Sequence, residues 1–97
     1  MLDGKSVTKY KILFNRAYLK DLKKISIRDQ RHIREKIQEL SLDPRPEGYK
    51  KLHGHSKPSL YRIRSGNYRI VYTIDDKVLV ILVINVGHRK EIYRDFS

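Results

Sequence analysis

The chain has 97 residues and a mass of 11.6 kDa, enough for one hydrophobic core and too little for two. Its formal net charge of +11 and pI near 10.0 favour an anionic partner: nucleic acid, an acidic membrane surface or an acidic protein. With no cysteine, disulfides, thiol nucleophiles and cysteine-type zinc sites are excluded, and a reducing cytoplasm is the expected location. No apolar signal segment opens the chain, and the longest apolar run, Val78 to Ile84, is far short of a membrane span.

Residues 1–8 are polar and contain Gly4, and they read as a flexible leader to a domain over 9–97. From Lys9 to Phe14 the residues alternate, with Tyr10, Ile12 and Phe14 on one side, the pattern of a strand. Asn15 is placed to cap a short helix carrying Leu19, Leu22 and Ile25 at helical spacing. Ser26 and Asp29 resemble a capping box, opening a second helix with Ile33, Ile37 and Leu40 on one stripe. Asp43-Pro44-Arg45-Pro46 ends it, because a residue before proline is pushed out of the helical region. Glu47 to Pro58 reads as loop.

Tyr61 to Tyr72 is the most informative stretch. Apolar and polar residues alternate on both sides of Gly66-Asn67, a pair suited to a two-residue hairpin turn. Pairing outward from that turn sets Ser65 opposite Tyr68, Arg64 opposite Arg69, Ile63 opposite Ile70, Arg62 opposite Val71 and Tyr61 opposite Tyr72. One face then carries Tyr61, Ile63, Ile70 and Tyr72, and the other carries Arg62, Arg64 and Arg69. Opposed like charges cost something within about 0.2–1 kcal/mol, so Arg64 facing Arg69 points to an anion that compensates them. A solvated outer face is the plainer alternative. After Asp75-Asp76, the unalternating run Val78 to Ile84 predicts a strand covered on both faces and central in the sheet. Gly87 is expected to break it, with His88 to Ser97 a short polar tail. The order β-α-α-β-β-β gives an α+β domain, a mainly antiparallel twisted sheet with both helices packed on one face.

With the helices on the tyrosine face, the arginine face is expected to stay open, bordered by the segment after Gly87, so that Arg62, Arg64, Arg69, Arg89 and Tyr93 gather there. Guanidinium groups bind phosphate oxygens bidentately and stabilise the extra charge of a pentacoordinate transition state. In RNA the 2′-hydroxyl supplies the nucleophile, so no metal or cofactor is called for. Arginine cannot accept the proton. Tyr93, lowered by surrounding arginines, or His88, whose ordinary pKa is about 6.5, are the two candidates. The histidines at 32, 53, 55 and 88 lack a zinc-site spacing.

Lys51-Leu52-His53-Gly54, Tyr61-Arg62-Ile63-Arg64, Tyr68-Arg69-Ile70-Val71-Tyr72 and Val86-Gly87-His88-Arg89-Lys90-Glu91-Ile92-Tyr93 together resemble the RelE branch of the RelE/ParE toxin superfamily. The resemblance covers nearly the whole chain from Lys9. It implies a RelE-like fold and the toxin of a type II toxin–antitoxin pair, a metal-independent endoribonuclease that enters the ribosomal A site and cuts mRNA. By position, Arg69 matches the arginine that stabilises the transition-state phosphate, Arg89 the one on the leaving-group side and Tyr93 the tyrosine that activates the 2′-hydroxyl. Arg62 and Arg64 fall where some members have RNA-holding lysines, and Lys51, His88 and Lys90 join them as RNA-binding candidates. Arginine keeps the charge but not a readily shifted pKa, and the interval from Arg89 to Tyr93 is shorter than in the best-known members. The implied partners are an acidic, RelB-like antitoxin and the ribosome with its mRNA. The alternative within the superfamily is a ParE-like, non-enzymatic inhibitor of DNA gyrase. An RNA-reading sheet of the RRM kind is disfavoured, since no exposed aromatic pair is available for stacking.

Overall fold

In the computed structural model, residues 9–52 and 58–88 are described. The chain order is β1 (Lys11–Phe14), α1 (Arg16–Lys23), α2 (Ile27–Leu40), β2 (Lys50–Lys51), β3 (Tyr61–Ser65), β4 (Tyr68–Asp75) and β5 (Val80–His88). The strands form one sheet in the order β1-β5-β4-β3-β2, antiparallel throughout except for the parallel β1·β5 pair. This is the expected α+β architecture. The strand it did not anticipate is β2, two lysines in a segment read as loop.

The helices are placed by amphipathic stripes. Tyr18 and Leu22 of α1 and Ile33, Ile37 and Leu40 of α2 are buried with Ile63, Ile70, Tyr72, Ile81, Val83 and Val86 from the sheet. Asn15 stands at the N-cap of α1 without a side-chain cap bond, whereas Ser26 Oγ accepts from Asp29 N–H at 3.2 Å. Between the helices, Gln30 Nε2 donates to the carbonyls of Leu22 and Ile25 at 2.9 and 2.8 Å. Leu22 O also accepts from Ile25 N–H at 3.1 Å, so the Gln30 amide adds a second bond there and ties α2 to the end of α1. On the far side, Tyr72 Oη donates to Pro44 O at 2.8 Å, and Arg45 binds Asp76 at 2.9 Å, tying the segment after α2 to the β4 strand and the turn that follows it.

The β3–β4 hairpin has the register expected from its turn, with all five pairs in place. Gly66 lies at φ +60°, whereas Asn67 is not in the positive-φ region, the arrangement of a type II′ turn with glycine first. Three expectations for the last strand fail. The central strand is β4, with β5 between it and β1, and β5 continues through Gly87 to His88. Paired along β4 to Tyr68, the strand holds Gly87 by ladder bonds that outweigh that residue's weak strand preference. Nor is the apolar run covered on both faces: Val78 is 63% exposed in the turn, and Val80 and Leu82 are half-buried.

A β-bulge interrupts β5. Val71 pairs with Asn85 and Tyr72 with Val83, so Ile84 is the extra residue. Beyond the end of β1, Val86 N–H turns to Asp21 Oδ2 of α1 at 3.4 Å.

Candidate nucleic-acid interface

Strand parity sorts the charged residues. Arg62 and Arg64 of β3 and Arg69 of β4 share the face away from the helices. Across the sheet they form two rows, Lys50–Arg62–Val71–Asn85 and Arg64–Arg69–Gly87. In the second row two arginines pair directly across the strands, next to a residue with no side chain. Arg64 is exposed and Arg69 half-buried, with Arg69 Nη1 donating to Tyr68 O at 3.3 Å.

The arginine face is not open throughout, contrary to expectation. Arg62 is 4% exposed and Val71 fully buried. Nε and Nη1 of Arg62 are both buried without a hydrogen-bond partner among the described residues.

Lys51 pairs with Tyr61 and so belongs to the tyrosine face; its neighbour Lys50, opposite Arg62, takes the place on the arginine face. His88 pairs with Tyr68, and the two rings meet edge-on at 6.1 Å. Tyr68 packs against the helix-side core, so His88 lies across the sheet from Arg69, beside a cavity of about 350 Å³ lined also by Asp29, His32 and Asn67. Arg89, Lys90 and Tyr93 lie outside the described residues. Lys50 and Asn85 were missed. Lys50 sits in a two-residue strand with no periodicity to read, and Asn85 reaches this face only through the bulge.

Chemically, the described part of the site is suited to anionic oxygen, offering guanidinium donors and positive charge. Arginine does not exchange its proton near neutral pH, so the arrangement suits a phosphate or its transition state and not acid/base transfer. Among the described residues no group of three or more His, Cys, Asp or Glu side chains is arranged to hold a metal.

The model of the ParE toxin of type II toxin–antitoxin systems matches residues 12–93. The chain belongs to this family. Within it, the chain is 34% identical over 90 residues to the mRNA interferase toxin RelE of Escherichia coli, covering 89% of this chain and 92% of that protein. Toxin RelE3 of Methanocaldococcus jannaschii is also 34% identical over 90 residues, covering 89% and 98%. The archaeal RelE–RelB complex of Pyrococcus horikoshii contains a similar fold, with a TM-score of 0.74 at 27% identity over 86% of this chain and 98% of that one. These relatives place this member of the ParE/RelE superfamily on its RelE-like branch.

Proposed function

We propose that the chain is the toxin of a type II toxin–antitoxin pair and a metal-independent endoribonuclease that cleaves mRNA in the ribosomal A site. The observation that carries this reading is the convergence of Arg62, Arg64 and Arg69, from two paired strands, on one face. Arg69 stabilises the pentacoordinate phosphate, and Arg62 and Arg64, with Lys50, hold the RNA backbone. Arg89 acts on the leaving-group side, and Tyr93 takes the proton of the attacking 2′-hydroxyl. The bond from that oxygen to phosphorus forms as the bond to the 5′-oxygen breaks, leaving a 2′,3′-cyclic phosphate and a 5′-oxygen that takes up a proton from water to depart as a hydroxyl. Tyr93 is preferred to His88 for the proton because His88 lies on the other face of the sheet from Arg69. The relatives' names and the RelE–RelB complex support an mRNA-cleaving toxin held by an acidic antitoxin, and a net charge of +11 favours that partner.

The test is primer extension on mRNA in a purified translation system, with and without ribosomes, comparing the wild type with Arg69→Ala and Tyr93→Phe. Cuts within the A-site codon that require ribosomes and fade by two orders of magnitude or more in Arg69→Ala are expected, since one transition-state donor is worth about 10²–10³ in rate. The matching family model is described by ParE, which keeps gyrase inhibition as the second reading. No cleavage by a folded wild type, with supercoiling by gyrase inhibited, would decide for it.

A further inference from the structure

Two buried side chains on the face away from the helices carry polar atoms with no hydrogen-bond partner among the described residues: Arg62, through Nε and Nη1, and Asn85, through Oδ1. They are 4% and 9% exposed. Buried polar groups in native proteins are nearly always bonded, so an orphan calls for an explanation. These two are neighbours. Arg62 is paired with Val71 and Val71 with Asn85, so they flank one fully buried valine in a single row, their Cα atoms about 10 Å apart at two strand spacings.

Asn85 stands in that row because of the bulge. Ile81 and Val83 belong to the helix-side core, and strict alternation would send Asn85 after them. The extra residue Ile84 resets the parity, so that Val86 enters the core opposite Ile70 and Asn85 joins the arginines. A bulge alone does not require asparagine at this position. A valine there would leave no acceptor unpaired.

The orphan atoms differ in kind. Arg62 offers donors and positive charge, and Asn85 Oδ1 offers an acceptor. A simple anion satisfies only the first. A ribonucleotide satisfies both, with phosphate oxygens on Arg62 and a 2′-hydroxyl as donor to Asn85, whereas DNA lacks that donor. We propose that Asn85 is a ribose-reading residue, accepting a hydrogen bond from the 2′-hydroxyl of an RNA whose phosphate lies on Arg62. This rests on the RNA-cleaving reading and adds a specificity residue to it. Both side chains are buried in this structure, so contact with RNA requires them to become accessible, and pairing the orphan atoms offsets part of that cost.

The test is fluorescence anisotropy at fixed low ionic strength, using a short single-stranded RNA, its all-2′-deoxy counterpart and its 2′-fluoro counterpart, which lacks the O–H donor. The wild type is expected to prefer RNA to both analogues. In Asn85→Leu, RNA affinity should fall roughly three- to tenfold while affinity for the deoxy strand stays constant, because one hydrogen bond is lost. A merely structural asparagine would weaken all three ligands alike. An unchanged RNA-to-deoxy ratio in a folded Asn85→Leu overturns the proposal. So does wild-type binding of 2′-fluoro RNA as tight as that of RNA, a result independent of whether the variant folds. Wild type that binds all three strands equally removes ribose reading and leaves the nucleic-acid interface standing. Wild type that binds none removes the interface itself.

Discussion

Replacing Arg62 by methionine should make the protein more stable while impairing its RNA chemistry. Arg62 is 4% exposed, and its Nε and Nη1 are buried without a partner among the described residues. Each such unpaired group costs about 1–3 kcal/mol, and the charge adds to the burden. Methionine has nearly the length of the arginine stem, so it retains most of the packing between Lys50 and Val71 while removing the polar atoms. Because some relaxation accompanies any core substitution, the net gain is set at the low end, about 1–2 kcal/mol. With a urea m-value of about 1–3 kcal/mol/M, the unfolding midpoint should rise by roughly 0.3–2 M at unchanged m. Arg62→Ala should gain less, since it also opens a cavity. The assay is equilibrium urea unfolding followed by circular dichroism, run beside the cleavage reaction. A midpoint lower for Arg62→Met than for the wild type would show that the guanidinium is satisfied in the free fold. The strain argument for a bound anion would then be refuted.

Tyr72→Phe removes the bond from Tyr72 Oη to Pro44 O at 2.8 Å, and it should cost about 1 kcal/mol, or roughly 4–8 °C in Tm by differential scanning calorimetry. Burial pushes the Tyr72 phenol above its ordinary value near 10, so its contribution is complete below pH 10 and is lost as pH rises toward the folded-state value. The loss of stability above pH 10 should therefore be shallower in Tyr72→Phe. Asp76 has its carboxyl pKa lowered by hydrogen bonds from Arg45 and Tyr10. Its contribution is present above the ordinary carboxylate pKa of about 4 and disappears as pH falls through the folded-state value, so Asp76→Asn should narrow its stability gap to the wild type in acid unfolding.

What the sequence made legible depended on where a local rule was strong enough to stand alone. Gly66 fixed the turn of the hairpin, and with it every pairing from Ser65·Tyr68 to Tyr61·Tyr72. The stripe through Ile33, Ile37 and Leu40 likewise placed α2. Arg62 was legible in register but not in burial, since alternation says which face a side chain occupies and nothing of what covers it. The end of β5 was hidden for a different reason. In Val80 to Ile84 both faces carry apolar residues, so the period of two is invisible and an extra residue leaves no trace in the pattern. The one usable signal was Asn85, a lone amide between apolar neighbours, which must face either a partner or a ligand if it is buried. The same bulge carries a further consequence for the site. It sends His88 to the helix side with Tyr68 and sets Gly87 beside Arg69, so proximity in sequence to Arg89 is a poor guide to which groups share a surface. The arginine face owes its composition to one inserted residue in β5 as much as to the arginines themselves.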